Sequence, residues 1–171
     1  MTRALALLLV LAGCASTAPV EVSERGDTRV WTARPVPLAD RDTQRGLLAR
    51  QRVSIQATAS CRGEGCVPDR VEVAFLNASD VPLDIDPRRV EVTADGRSWS
   101  WDNEGFRREA LGTMVVRGEF VRVEMDAAAF VRLAEAGEAS VAFGRTATRA
   151  FQIPSDRRGP LRALAEAVGG T

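Results

Sequence analysis

The chain has 171 residues, with 23 basic and 23 acidic side chains, so its formal net charge at neutral pH is zero. It has no histidine, no lysine and no tyrosine. This composition excludes histidine general bases, histidine metal ligands, Schiff-base lysines and the catalytic triads that need histidine. Without a positive excess, the chain also has no electrostatic feature that favours nucleic acid as a partner.

Residues 1–13 have the three parts of a secretory signal peptide. An arginine lies near the start, an unbroken run of Ala, Leu and Val follows, and two small residues precede Cys14. The run is far shorter than the roughly 20 apolar residues that a membrane-spanning helix needs. We therefore predict a cleaved signal peptide here rather than a permanent transmembrane helix.

The segment Leu11-Ala12-Gly13-Cys14 resembles the lipobox of bacterial lipoproteins at all four positions. The resemblance implies that diacylglycerol is attached to the Cys14 thiol, that the chain is cut before Cys14, and that the new amino group is acylated, as with palmitate. Several acyl chains anchor a protein stably, whereas one chain binds a membrane only marginally. The alternative is an ordinary signal peptide whose cleavage region contains a cysteine.

The same resemblance predicts a location in the bacterial cell envelope, lipid-anchored and facing the periplasm. In such lipoproteins an aspartate after the lipidated cysteine often marks retention in the inner membrane. This chain has Ala15 at that position. The outer membrane is therefore favoured over the inner membrane.

Cys61 and Cys66 are the other two of the three cysteines. An even pair in an exported protein is typical of a disulfide, and Gly63 and Gly65 between them allow a short loop. The spacing differs from the Cys-x-x-Cys of redox motifs, and two thiols without histidine do not complete a zinc site. We predict a structural disulfide that closes a loop between two strands.

The mature chain is predicted to consist of a tether and one domain. Residues 14–28 are small, polar and unpatterned, which indicates a flexible tether. Residues 29–171 are long enough for a single β-rich domain with its own core. Within this domain, residues 30–38 contain Pro35 and Pro37, which favours an extended edge segment over a central strand.

Alternation of apolar and polar residues predicts four strands in the centre of the chain. They cover residues 52–58, 70–75, 89–93 and 121–125. Asp95-Gly96 is a strong hairpin signal and predicts residues 97–101 as a partner strand. Weaker extended stretches occur at residues 83–85 and 111–116.

Two helices and a hairpin are predicted in the last third of the chain. Asp126 can cap a helix over residues 127–136, and Pro160 suits the first turn of a C-terminal helix. The apolar stripe of that second helix consists of Leu161, Leu164, Ala165 and Val168. Residues 140–144 and 148–153 are predicted to form the hairpin between the two helices.

These elements predict a mainly β fold, an immunoglobulin-like sandwich or an open barrel, with one helix after the sixth strand and one at the C-terminus. Residues 71–101, with the Asn77-Ala78-Ser79 turn and the Asp95-Gly96 hairpin, resemble the immunoglobulin-like domains of small bacterial envelope proteins. The Cys, Trp and Cys pattern across the two sheets of true immunoglobulin domains is absent. The resemblance therefore implies a fold class and no activity.

Trp99, Trp101 and Phe106 are a candidate ligand platform. Residues 99 and 101 of a strand point to the same face, so an exposed pair of indoles could stack on sugar rings, with peptidoglycan as the local sugar. The alternative is that this face belongs to the core, where large apolar side chains usually lie. The core interpretation is favoured.

The charged residues form no recognisable catalytic or metal site. The acidic stretches 80–86 and 102–104 lack the spacing of a calcium loop, and turn chemistry explains their Asp and Asn residues, so we expect neither metal nor cofactor. Arginine doublets at residues 88–89, 107–108 and 157–158 are scattered along the chain and balanced by acids. They are expected on the solvated surface.

These features favour a non-catalytic, lipid-anchored envelope protein that serves as a binding or structural module. Its expected partners are the membrane, through lipid on Cys14, and an envelope protein or peptidoglycan. One alternative is a small cell-wall enzyme that uses carboxylates. A pair of carboxylates roughly 5–10 Å apart in a cleft would favour it. The other is a glycan-binding module centred on Trp99 and Trp101.

Overall fold

The computed structural model describes residues 18–40, 53–77, 88–102, 118–144 and 149–169. These ranges form eleven strands, two α-helices and one short 3-10 turn. The strands are β1 (Val20–Arg25), β2 (Thr28–Ala33), β3 (Val36–Pro37), β4 (Ala39–Asp40), β5 (Val53–Arg62), β6 (Arg70–Asn77), β7 (Arg89–Ala94), β8 (Arg97–Asp102), β9 (Gly118–Asp126), β10 (Ala139–Phe143) and β11 (Arg149–Gln152). The helices are α1 (Ala127–Glu135) and α2 (Gly159–Val168).

Sheet 1 is antiparallel and has the strand order β1-β2-β5-β6-β9, with the short β3 also paired to β5. The β5–β6 register places Ile55 opposite Phe75 and Ala57 opposite Val73. These residues are fully buried and alternate with half-buried ones. The alternation of the sequence therefore sets which face of sheet 1 meets the core.

Sheet 2 is also antiparallel, in the order β4-β11-β10-β7-β8. The predicted hairpin at Asp95-Gly96 joins β7 to β8. Both turn residues have positive φ, 46° and 78°, as a type I′ turn requires. The hairpin predicted between the helices is confirmed as β10 and β11.

The core lies between the two sheets. Phe75 of sheet 1 meets Phe143 of sheet 2 edge to face, with ring centroids 5.2 Å apart and an interplanar angle of 89°. Phe143 also contacts Phe151, at 5.9 Å between centroids. The prediction of a mainly β fold is confirmed, and of its two alternatives the sandwich is observed.

Both predicted helices are confirmed. Helix α1 packs on β6, β7 and β9, and α2 packs on α1 and on β1, β2 and β5. The buried residues of α2 are Leu161, Leu164, Ala165 and Val168, the stripe predicted for it. The capping role predicted for Asp126 is wrong in one respect: Asp126 lies at the N-cap of α1, but its side chain makes no capping bond and pairs with Arg70 at 3.2 Å instead.

The predicted tether over residues 14–28 is wrong from Val20 onward. Val20–Arg25 form β1, which pairs along its whole length with β2. The Gly26-Asp27 turn between them has positive φ only at Gly26, 65°, which is the pattern of a type II′ hairpin turn. The alternation of Val20 and Val22 with polar residues, followed by Gly-Asp, was the signal for this hairpin.

The edge position predicted for residues 30–38 is wrong for β2, which lies between β1 and β5. The prolines do not prevent this, because Pro35 follows the end of β2 and Pro37 belongs to β3. The lipobox, Phe106 and the extended stretches at residues 83–85 and 111–116 lie outside the described residues.

Candidate functional site

Trp99 and Trp101 lie on the edge strand of sheet 2. The β7–β8 register pairs Trp99 with Val92 and Trp101 with Val90. Both valines are fully buried, and directly paired residues share a face of the sheet. Both indoles therefore point toward the core side of the sandwich, where they are half-buried against the core.

Trp101 connects the edges of the two sheets. Its indole Nε1–H donates a hydrogen bond of 3.0 Å to the backbone oxygen of Glu124 on β9. The N–H of this indole is thus already bound inside the molecule. Trp99 contributes to a shallow depression of about 480 Å³ on the side of α1. One indole, rather than a side-by-side pair, faces this depression, so the geometry gives the candidate aromatic platform little support.

A larger groove lies on the side of sheet 1 away from β9, between the β1–β2 turn and the loop that follows β5. Its volume is about 520 Å³. Its lining consists of Glu24, Gly26, Asp27, Thr28, Arg29, Trp31, Gly63, Glu64, Gly65 and Cys66. None of these residues was singled out as a binding residue from the sequence, because the groove depends on the hairpin that was mistaken for a tether.

Arginine side chains already bind two carboxylates of the groove. Arg29 donates from Nε and Nη2 to Oε1 of Glu24, at 3.2 and 3.0 Å, and its guanidinium lies 5.8 Å from the ring centroid of Trp31. Arg62 Nε lies 2.6 Å from Oδ2 of Asp27. All four charged side chains are more than 50% exposed, so each pair contributes at most about 1 kcal/mol.

The disulfide predicted between Cys61 and Cys66 is present, with Cα atoms 5.9 Å apart. It closes the loop from the end of β5 toward the start of β6 and borders the groove through Cys66. Gly63 donates its N–H to the backbone oxygen of Asp27 at 2.9 Å. The disulfide loop and the β1–β2 turn therefore support each other.

A second polar cluster, around Arg158, was missed by sequence analysis. Arg158 is fully buried, although its doublet was expected on the solvated surface. Its Nη1 donates to the backbone oxygen of Leu133 and its Nη2 to that of Gly137, both at 3.0 Å. These oxygens lie at or just beyond the last turn of α1, where a helix favours a cation.

Asp95 of the β7–β8 turn binds the same segment from the other side. Its two carboxylate oxygens accept the backbone N–H groups of Gly137 and Glu138, at 3.1 and 2.9 Å. These two hydrogen bonds, first that of Glu138, lower the pKa of Asp95 from its ordinary value of 3.8, and the charge of Arg158 acts in the same direction. Burial is the main cause that lowers the pKa of Arg158.

The described part of the chain offers no further chemistry of a recognisable kind. Within it, no three His, Cys, Asp or Glu side chains are grouped to hold a metal ion. Neither described helix has the length and apolar character needed to cross a membrane. The Arg158 cluster binds backbone atoms of its own chain, so its role is structural, and the groove is the better candidate for a binding site.

Comparison of this chain with models of protein families, with curated proteins and with solved structures gives no match.

Proposed function

We propose that this protein is a non-catalytic, lipid-anchored protein of the bacterial cell envelope, whose β-sandwich serves as a binding or structural module. The lipid is carried by Cys14, and the domain faces the periplasm, with the outer membrane favoured. The groove beside the disulfide loop is the candidate contact site for an envelope partner.

The observation that carries this proposal is the pairing of the cysteines. The chain has three cysteines, and Cys61 and Cys66 are bonded to each other. Cys14 is then the one thiol left over, and it stands at the last position of the Leu-Ala-Gly-Cys segment. A disulfide is also what an oxidising compartment outside the cytoplasm permits.

The position of β1 in the sequence limits how far the domain can lie from the lipid anchor. Val20 is the first residue of β1 and follows Cys14 by six positions. Six extended residues span at most roughly 20 Å. The domain would therefore be held close to the bilayer, with the groove at the far end of the β1–β2 hairpin directed away from the anchor.

The hydrogen bonds of the groove and of Trp101 favour a binding role over a catalytic one. Glu24 and Asp27, two of the three acidic residues of the groove, are bound to arginines, and Trp101 donates its N–H to Glu124. A carboxylate-based cell-wall enzyme and a glycan-binding module centred on Trp99 and Trp101 stay as alternatives with less support from the structure.

The test is a Cys14→Ala variant of the full chain, expressed in a bacterium and fractionated after carbonate washing. We expect the unmodified chain in the membrane pellet and the variant in the soluble fraction, because the acyl chains are the anchor. A Cys61→Ser/Cys66→Ser variant is the matched control and should stay in the pellet. Retention of Cys14→Ala in washed membranes would show that the lipid anchor is wrong.

A further inference from the structure

The edges of the two sheets are protected to very different degrees. Strand β8 is joined to β9, the far edge of sheet 1, through the Trp101 hydrogen bond, and β4 has only two residues. Strand β1 has six residues, no proline and an uninterrupted register with β2. A long, regular edge strand without such protection is a template for pairing with another chain.

Successive residues of β1 direct their backbone N–H and C=O groups alternately toward β2 and toward the outer edge of the sheet. Pro19 accepts a hydrogen bond from the N–H of Arg34 on the β2 side, so the odd-numbered residues of β1 are bonded to β2. The N–H and C=O groups of Val20, Val22 and Glu24 consequently point to the outer edge. Within the described ranges, no backbone partner is recorded for them on that side.

The side chains of β1 are exposed from Glu21 to Arg25, and Val22 is 54% exposed. Glu21 lies opposite Thr32, and Arg25 opposite Thr28. Neither Glu21 nor Arg25 has an opposite charge directly across the β1–β2 pair. Their charges are therefore available to a strand that adds to the outer edge.

The sequence of β1 is self-complementary in an antiparallel pair. With Ser23 facing Ser23 of a second copy, Glu21 of each chain faces Arg25 of the other. These positions are the non-hydrogen-bonded pairs of the new ladder, in which side chains come closest. A shift of the centre to Glu21 would oppose two like charges, which is unfavourable.

We propose that β1 is a self-association edge: two copies of this chain pair antiparallel through β1, with Ser23 at the two-fold axis and a Glu21–Arg25 ion pair on either side of it. Sheet 1 then continues from one copy into the other, and Val22 is covered by the second chain. A shared interface of this kind is isologous and closes at two subunits.

The proposal does not require the lipid anchor, but anchoring would favour it. Two copies held in one membrane meet at a much higher effective concentration than free copies do. Because the paired strands run antiparallel, both copies can be anchored at once when β1 lies along the bilayer surface and the two-fold axis is normal to it.

The test uses single cysteines in the full chain in its membranes. Ser23→Cys should give a disulfide-linked dimer on mild oxidation, because the two sulfurs lie across the axis at a pair with short Cβ separation. Ser60→Cys is the matched control: Ser60 is exposed and lies in the same cross-strand row, opposite Val30, which is opposite Ser23. Because Ser60 lies on the interior strand β5, the Ser60→Cys protein should stay monomeric.

Charge reversal then tests the register. Glu21→Arg in the Ser23→Cys background should abolish the dimer, because it places two Arg–Arg contacts across the axis. Arg25→Glu should do the same with Glu–Glu contacts. The Glu21→Arg/Arg25→Glu combination restores both ion pairs and should restore the dimer. Circular dichroism of each variant checks that the sandwich is still folded.

Three outcomes would overturn the proposal. In the first, Ser23→Cys yields no more dimer than Ser60→Cys, or its cross-linked product differs in mass from two chains. In the second, the double charge reversal fails to restore a dimer that each single reversal abolished. In the third, Val22→Cys cross-links between copies more efficiently than Ser23→Cys, which would indicate a register centred on Val22.

Discussion

Arg158 shows how one buried side chain can connect two helices. It precedes α2 and donates to the oxygens of Leu133 and Gly137 at the end of α1. Arg162, one turn further along, donates to the oxygen of Ala134 at 3.3 Å. A buried charge is costly unless it is hydrogen-bonded, and here the carbonyl oxygens at the helix end supply the bonds.

Arg158→Ala should lower the free energy of unfolding by about 2–4 kcal/mol, because it leaves carbonyl oxygens without their donors and creates a cavity. Arg158→Lys should lower the free energy of unfolding by less than Arg158→Ala does. It should still destabilise the fold, since one ammonium does not reproduce the two-pronged geometry of a guanidinium. Urea denaturation is the measurement. Arg157→Ala, at the exposed neighbour, is the control and should change stability by less than about 0.5 kcal/mol.

Asp95 has a conformational and an electrostatic role at once. It adopts a left-handed backbone, with φ of 46°, which Asp tolerates better than most residues. Its carboxylate binds the N–H groups of Gly137 and Glu138 just after α1. The turn that joins β7 to β8 is thereby fastened to the segment that joins α1 to β10.

Asp95→Asn should reduce stability at neutral pH and lose this effect in acid. The pKa of Asp95 is lowered in the folded state from 3.8, so its ionised form stabilises the fold fully above the unfolded pKa. The stabilisation disappears as the pH falls through the folded pKa, whereas the amide of the variant does not titrate. Urea denaturation at neutral pH and in acid should show the two free energies of unfolding converging; a constant difference would contradict this assignment.

Among the strands, β8 pairs with β7 along its whole length and also contacts sheet 1 through Trp101. The indole reaches from sheet 2 to the Glu124 oxygen of β9 in sheet 1. This bond links β8, an edge strand of sheet 2, to β9, an edge strand of sheet 1. It also explains why a large aromatic stands near the end of an edge strand whose outward-facing residues are polar.

Trp101→Phe should lower the free energy of unfolding by about 1 kcal/mol beyond the change in packing, because the Glu124 oxygen loses its donor. Trp99→Phe is the matched control, since Trp99 lies on the same strand and face, and it should cost less. Thermal denaturation followed by circular dichroism measures both. Equal losses for the two variants would mean that the hydrogen bond contributes nothing.

The strands also differ in how well they could be predicted. Strands β5, β6, β7 and β9 follow from period-two alternation, and β8 with its turn follows from Asp95-Gly96, because these signals are local. Strand β1 was missed, since five of its six residues are exposed and its alternation rests on only two apolar residues, Val20 and Val22. Its pairing with β2 arises from the hairpin turn rather than from burial.

At the largest scale, the described part of the chain is a two-sheet sandwich against which the two helices pack. Cores of this kind bring together residues that are distant in the sequence, such as Phe75 and Phe143. The hairpin of β1 and β2 extends sheet 1 past β5, and this extension creates both the groove and the open edge. The two surfaces proposed to contact partners therefore depend on the same hairpin.

Local patterns were sufficient for the mainly β class, the two helices, the Asp95-Gly96 turn and the Cys61–Cys66 disulfide, because each depends on residues that are neighbours along the chain. The position of Trp99 and Trp101, the burial of Arg158 and the exposed edge of β1 depend on which strands and helices become neighbours in space. Those contacts are set by long-range packing and register, which no short stretch of sequence contains. The lipobox resemblance concerns location. The groove and the β1 edge, by contrast, exist only once the strands are assembled into sheets.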